Sequence, residues 1–244
     1  MLIWFRAPGH APRAQSRSYG MAAAACHLAA SCLAACLLFL ALGTSGAVAQ
    51  AAPESPVRIV ALGDSLTAGY GLPAEAAFPA KLQRALRERG IAVEVINAGV
   101  SGDTASGGLA RLDWSIPDGA DAVILELGAN DALRGLDPKV TRAALEQILV
   151  RLKARRIEVL LAGMRAPRNL GADYAAGFDP IFPELASIHD VVFYPFFLDG
   201  VAADSKLNQS DGLHPTTAGV DAIVTRILPK VEELLARVRS KRNS

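Results

Sequence analysis

The sequence predicts an α/β fold in which five parallel strands form one sheet between two layers of helices. Short apolar runs rich in β-branched residues, typical of strands buried on both faces, alternate with segments of helical periodicity. Glycine and short polar residues follow several of these runs, as expected where strands end in loops. No internal repeat or low-complexity tract interrupts the alternation, so residues 57–239 are predicted to form one domain.

The first three strands are predicted from apolar runs at residues 57–62, 92–96 and 122–127. Between the first two runs, residues 76–89 place apolar side chains on one face of a helix and charged side chains on the other. A shorter helix is predicted at residues 106–113, before the third strand. The alternation of strand and helix favours parallel pairing of these strands.

The second half of the chain repeats the pattern, with predicted elements at residues 138–154 (helix), 157–162 (strand), 179–188 (helix) and 191–194 (strand). A last helical region at residues 216–239 contains Pro229, and we expect an interruption there because proline removes a helical hydrogen bond. Residues 240–244 are predicted to form a short basic tail.

The first 49 residues have the organisation of a secretory signal peptide. Three arginines precede an uncharged apolar stretch at residues 28–42, and Ala47-Val48-Ala49 forms a small-x-small cleavage site. We therefore expect cleavage after Ala49, a linker at residues 50–56, and a periplasmic or secreted protein.

Other readings of this leader stay open. Its basic region is long, so translation could begin nearer Met21. Residues 21–42 could just span a bilayer, although the apolar stretch itself is short for a span. Leu33-Ala34-Ala35-Cys36 resembles a bacterial lipoprotein cleavage box, but it lies inside the apolar stretch rather than after it.

Composition excludes several classes of function for the exported domain. All three cysteines lie in the leader, which excludes a disulfide framework and a thiol mechanism. Only His189 and His214 remain of four histidines, so no metal site is expected. The leader holds three basic and no acidic residues, which leaves a formal net charge of −2 and no indication of nucleic-acid binding. No stable membrane span and no obligate protein partner are expected.

Four polar loops are predicted at the carboxyl edge of the sheet, where open α/β sheets bind ligands. Each alone is also an ordinary turn or capping sequence, and the serine is not in a Gly-x-Ser-x-Gly elbow. Their convergence at one edge is the stronger observation. The loops are Gly63-Asp64-Ser65, Ser101-Gly102-Asp103-Thr104, Gly128-Ala129-Asn130-Asp131 and Asp211-Gly212-Leu213-His214.

These loops hold the residue types that acyl transfer needs. Ser65 is a candidate nucleophile, and a serine hydroxyl needs a base such as His214 to take its proton. Asp211 can orient that histidine if the chain turns at Gly212. Helix capping is the alternative for this segment. His189 has no polar setting and is interpreted as a helix-end residue.

A tetrahedral intermediate also needs hydrogen-bond donors for its oxyanion. The backbone N–H groups of Ser65 and Gly102 and the side-chain amide of Asn130 are the candidates. Glycine at position 102 leaves room for close approach, since it has no Cβ. Capping of the following element is the alternative role for Asn130.

In order and spacing, these four segments resemble the four sequence blocks of the SGNH (GDSL) hydrolases. The similarity is to the arylesterase and thioesterase I branch and covers about residues 57–236. It implies a flavodoxin-like, three-layer α/β/α sandwich and a serine esterase with no cofactor. It also implies a Ser65–His214–Asp211 triad and an oxyanion hole formed by Ser65, Gly102 and Asn130.

The substrate implied by this resemblance is a small-molecule or lipid ester, such as an aryl or alkyl ester, a thioester or a lysophospholipid. Leu66, Leu133 and Ala166 are candidate substrate-binding residues, although ordinary packing explains them equally well. Carbohydrate O-deacetylation and non-catalytic ligand binding on the same fold stay open as alternative functions.

Overall fold

A computed structural model describes residues 55–244 of the chain. Its single five-stranded sheet is parallel throughout and has the strand order β2-β1-β3-β4-β5. The predicted sheet and its flavodoxin-like order are therefore confirmed, and the chain reverses direction across the sheet between β1 and β3. The strands are β1 (Val57–Gly63), β2 (Val93–Gly99), β3 (Ala122–Glu126), β4 (Glu158–Ala162) and β5 (Val192–Tyr194).

Helices cover both faces of this sheet, which confirms the three-layer α/β/α architecture. The helices are α1 (Ser65–Ala68), α2 (Phe78–Glu88), α3 (Ala105–Ala110), α4 (Leu112–Ser115), α5 (Ala129–Leu133), α6 (Pro138–Ala154), α7 (Ala172–Phe178), α8 (Ile181–His189) and α9 (Thr217–Arg242). On one face α2 packs against α9, and on the other α3, α7 and α8 pack against α6.

The core lies on both sides of β1 and β3, whose side chains are almost all buried because helices cover both faces of the sheet. Ile59 and Leu62 of β1 and Ile124 of β3 have no exposed surface. Complete burial of one such side chain stabilises the fold by ~1.5–3 kcal/mol. These two strands thus form a rigid platform whose carboxyl ends meet at Gly63 and Glu126, which are paired in the register.

The predicted interruption at Pro229 is wrong. Helix α9 continues through the proline from Thr217 to Arg242. Proline in a helix interior costs ~3 kcal/mol. The buried side chains of Ile227, Leu228 and Val231 flank the proline and pack in the core, and this packing offsets that cost.

The predicted tail at residues 240–244 is also shorter than expected, because α9 extends to Arg242. Lys241 pairs with Glu158 at 2.7 Å, and Arg242 pairs with Asp121 at 2.7 Å. These contacts hold the basic end of the helix against the amino-terminal edge of the sheet.

The predicted leader at residues 1–49, and the linker up to residue 54, lie outside the described residues. Within residues 55–244, none of the helices combines the length and apolar character needed to span a bilayer.

Candidate active site

Ser65 lies at the turn between β1 and α1 and is the first residue of that helix. Asp64 caps the helix, since its Oδ1 accepts the N–H of Leu66 at 2.9 Å. A side chain at Gly63 would overlap Thr67 and Glu126, so only glycine fits at this position. The serine is 9% exposed and lies at the carboxyl edge of the sheet.

The structure brings the predicted serine, histidine and aspartate into one hydrogen-bonded chain. Nε2 of His214 lies 2.9 Å from Oγ of Ser65, and Nδ1 lies 2.7 Å from Oδ2 of Asp211. The other carboxylate oxygen, Oδ1, accepts the backbone N–H groups of Leu213 at 2.9 Å and His214 at 3.0 Å. Gly212 has a φ of 70°, which lets the chain turn between acid and base.

These hydrogen bonds define the charge state of the acid. The backbone N–H of His214, its ring and the N–H of Leu213 lower the pKa of Asp211 to about 2. Asp211 is therefore a carboxylate at every pH near neutrality. An anion at this position favours a proton on Nδ1 of His214 and leaves Nε2 free to accept one from Ser65.

Two further residues that the sequence did not indicate hold the histidine loop. The Tyr70 ring lies against the His214 ring, with centroids 4.5 Å apart and planes tilted by 36°. Nε2 of Gln209 donates to the carbonyl oxygens of Tyr70 at 2.8 Å and Pro215 at 3.0 Å. The segment after α1 is thereby linked to the loop that bears the histidine. The two contacts of Tyr70, with His214 and with Gln209, join residues more than a hundred positions apart, so no local pattern indicates them.

The candidate oxyanion donors lie at the start of α1 (Ser65), in the loop after β2 (Gly102) and in the first turn of α5 (Asn130), which the sequence predicted as part of a loop. Gly102 has a φ of 85°, and its carbonyl oxygen accepts from Nη2 of Arg134 at 2.7 Å. Within residues 55–244, the N–H groups of Ser65 and Gly102 donate to no other protein group. Nδ2 of Asn130 donates to Oδ2 of Asp64 at 3.0 Å, so the amide is tied to the serine turn. Neither Gly102 nor Asn130 hydrogen-bonds Ser65 itself.

Arg111 joins two of these loops, and the sequence analysis did not single it out. The side chain is buried, and its Nη2 donates to the Gly63 carbonyl at 2.9 Å while Nη1 donates to Ala98 at 2.8 Å. Its Nε pairs with Asp103 at 2.6 Å, next to Gly102. One guanidinium group thus connects the ends of β1 and β2 with the Gly102 loop.

Two buried carboxyl groups lie beneath the serine. Burial raises the pKa of Asp64 to about 6, although hydrogen bonds from Leu66 and Asn130 oppose that shift. Burial, together with the charge of Asp64, raises the pKa of Glu126 well above its ordinary value. Glu126 ends β3 and was predicted only as part of a strand.

The three candidate substrate-binding residues differ in exposure. Leu66 and Ala166 are 6% and 5% exposed and pack in the hydrophobic core, whereas Leu133 is 50% exposed at the end of α5. Of the three, Leu133 therefore presents the most surface to a ligand. His189, as predicted, is the last residue of α8. Within the part of the chain that the structure describes, no cluster of three or more His, Cys, Asp or Glu side chains could hold a metal ion.

Comparisons with known proteins agree with this geometry. Residues 61–222 match the GDSL-like lipase/acylhydrolase family. The chain is 42% identical over 167 residues to an arylesterase of Vibrio mimicus, which covers 68% of this chain and 84% of that protein. It is 42% identical over 158 residues to thioesterase 1/protease 1/lysophospholipase L1 of Escherichia coli K12, covering 64% and 74% of the two chains.

Among solved structures, the chain is similar to AlinE4, which is described as an SGNH-hydrolase family esterase. The TM-score is 0.63 at 48% identity, and the match covers 75% of this chain and 99% of that one. Together with the arrangement of Ser65, His214 and Asp211, these matches show that the chain belongs to the GDSL-like lipase/acylhydrolase, or SGNH hydrolase, family.

Proposed function

We propose that this enzyme is a serine esterase that hydrolyses carboxylic esters through an acyl-enzyme intermediate. The observation that supports it best is the unbroken contact from Asp211 through His214 to Ser65, with separations of 2.7 and 2.9 Å. Both lie within hydrogen-bond reach, as a general base and its orienting acid require.

In this mechanism, Nε2 of His214 takes the hydroxyl proton as Ser65 Oγ attacks the ester carbonyl carbon. The charge that develops on the carbonyl oxygen is stabilised by the N–H groups of Ser65 and Gly102 and by the Asn130 amide. The imidazolium then gives its proton to the leaving alcohol oxygen. Water attacks the acyl-enzyme by the same route and releases the carboxylic acid.

The substrate that we propose is a small-molecule or lipid ester with an apolar acyl or aryl group. Exposed apolar side chains lie on the segments that follow β1, β2 and β3 and on the loop that bears His214, and we propose that they contact such a group. They are Tyr70, Val100, Leu133 and Leu213, which are 42–54% exposed. The printed names of the relatives include arylesterase and lysophospholipase. An exported enzyme rarely meets acyl-CoA, which favours esters and lysolipids over those thioesters.

We also propose that the protein is exported to the periplasm or medium after cleavage near Ala49. The basic region, the apolar stretch and the Ala47-Val48-Ala49 site support this. Sequencing the amino terminus of the exported protein tests it. A start near Gln50 is expected, whereas a lipidated Cys36 or a retained apolar stretch at 28–42 would contradict it.

A panel of p-nitrophenyl esters of increasing acyl length, measured beside acetylated sugars, tests the proposed activity. Turnover of the aryl esters by the parent protein and its loss in Ser65→Ala are expected. Turnover confined to acetylated sugars would indicate a carbohydrate deacetylase instead. Binding without turnover of any ester would indicate a ligand-binding module.

A further inference from the structure

Glu126 lies directly beneath the proposed nucleophile and has an unusual set of partners. It pairs with Gly63 in the sheet register and has no exposed surface. Its Oε2 lies 2.7 Å from Oγ1 of Thr67 and accepts the N–H of Asp64 at 3.4 Å. Its Oε1 is buried and has no hydrogen-bond partner within residues 55–244.

Asp64, the adjacent buried carboxyl group, is different. Its Oδ1 accepts the N–H of Leu66 at 2.9 Å, and its Oδ2 accepts Nδ2 of Asn130 at 3.0 Å. Each carboxylate oxygen of Asp64 therefore accepts a hydrogen bond from a group that can only donate, since a backbone N–H and an amide NH₂ cannot accept. This environment suits an anion, whereas the environment of Glu126 does not.

The charged groups around the pair do not supply a counter-ion to Glu126. Arg111 reaches the neighbouring Gly63 carbonyl, but its charge is matched by Asp103 at 2.6 Å. His214 pairs with Asp211. From α1, Thr67 contacts Glu126 through its backbone N–H and through its hydroxyl, which is neutral and can either donate or accept.

Two adjacent buried carboxyl groups cannot both ionise cheaply, because each charge loses its hydration and repels the other. The first proton to be kept belongs to the group whose carboxylate has an oxygen that no donor reaches. Glu126 has an orphaned oxygen and Asp64 has none, so the retained proton is on Glu126. A protonated Oε2 can donate to Thr67 Oγ1 across the observed 2.7 Å.

We propose that Glu126 acts as a neutral carboxylic acid that positions the catalytic turn and leaves Asp64 as the single buried anion there. Asp64 then orients the Asn130 amide and the amino terminus of α1, on which the oxyanion donors depend. The proposal rests on the esterase mechanism above. Loss of the Glu126 proton as pH rises would add a second anion against Asp64 and displace Asn130.

Replacement of each carboxyl group by the corresponding amide, in Glu126→Gln and in Asp64→Asn, tests this proposal. Glu126→Gln keeps the shape and the neutral state, so we expect kcat within about threefold of the parent. Glu126→Ala removes the group that positions the turn and should lower kcat about tenfold or more, since small misplacements at a reacting centre are costly. Asp64→Asn sets an NH₂ group against an obligatory donor and should lower kcat by ~10²-fold. A large loss in Glu126→Gln beside a tolerated Asp64→Asn would overturn the proposal.

The pH profile adds a readout that a merely structural role would not change. If ionisation of Glu126 displaces Asn130, kcat/KM of the parent should fall as pH rises, and this fall should be absent or shifted to higher pH in Glu126→Gln. An identical fall in the two proteins would contradict the proposal.

Infrared spectroscopy detects the proton directly and needs only the parent and Glu126→Gln, so it decides the question even if Glu126→Ala does not fold. The difference spectrum at neutral pH should show loss of one protonated-carboxyl C=O band. Loss of carboxylate bands instead would show that Glu126 is ionised and overturn the proposal.

Ser65→Ala should retain the C=O band while losing turnover. If Ser65→Ala keeps its turnover, the mechanism fails, and the band still reports the state of Glu126.

Discussion

Oγ of Ser65 lies 2.9 Å from Nε2 of His214, although 149 positions separate the two residues in the chain. The contact joins the end of the first strand to the loop that precedes the last helix. It also distinguishes the two histidines of the described region, because His189 ends α8 and lies 3.9 Å from Glu146.

Substitution of the two histidines should therefore have opposite results. His214→Ala removes the base and should lower kcat by a factor on the order of 10⁶, as in other serine hydrolases. His189→Ala is the matched control and should leave kcat and the pH profile almost unchanged. The pKa of Asp211 is lowered to about 2, so the carboxylate that orients His214 is present throughout this comparison at neutral pH. Loss of activity in the His189 variant alone would contradict the assignment.

The triad and the sheet could be predicted from sequence because their signals are local. Asp211 and His214 are three residues apart, and each candidate loop directly follows a recognisable strand or turn. The roles of Arg111 and Glu126 could not be predicted in this way. Arg111 contacts Gly63, which is 48 positions away in the chain, and Glu126 contacts Thr67, which is 59 positions away.

The two errors in the predicted last helix, its break and its end, also arise because tertiary contacts are not visible in the local sequence. Pro229 is a local signal for a break, but the buried side chains on both sides of it keep α9 continuous. The end of the helix was predicted too early, since the ion pairs of Lys241 and Arg242 connect to Glu158 and Asp121 elsewhere in the chain. Local propensity is a weak guide where tertiary contacts oppose it.

Asn130→Ala tests the proposed oxyanion donor. If the amide stabilises developing charge, kcat should fall by ~10²-fold while KM changes much less. The amide also bonds Asp64 at 3.0 Å, so a modest loss of stability, about 1 kcal/mol, is expected as well. Kinetics and thermal melts measured on the same preparations separate the two effects. A lowered melting temperature with an unchanged kcat would restrict Asn130 to a structural role.

The raised pKa of Glu126 predicts how stability depends on pH. A carboxyl group that binds its proton more tightly in the folded state makes unfolding easier as pH rises above its ordinary pKa of 4.5. Glu126→Gln removes this titration. Its free energy of unfolding, relative to the parent, should therefore increase by up to ~1.4 kcal/mol for each pH unit above that value. Urea denaturation from pH 4.5 to neutrality measures the difference, and a difference that is constant with pH would contradict a retained proton.

Leu133 is the candidate residue for recognition of the acyl chain that presents the most surface. Leu133→Ala should lower kcat/KM for long acyl esters about fivefold relative to short ones, since the loss scales with apolar area removed from contact. Val140→Ala on α6 is the matched control, because the two side chains are 50% and 49% exposed. A panel of acyl lengths measures both variants. Proportional loss at every acyl length would argue against a role in specificity.

In the proposed mechanism, Ser65 forms a covalent acyl intermediate. Reaction with an alkyl phosphonate ester, followed by intact-protein and peptide mass spectrometry, tests it most directly, because such reagents modify serine nucleophiles that are activated by a neighbouring base. The account predicts a single phosphonyl group on the peptide that contains Ser65, loss of esterase activity in proportion to labelling, and no labelling of the His214→Ala variant. Labelling of another residue, or full esterase activity after complete labelling of Ser65, would contradict it.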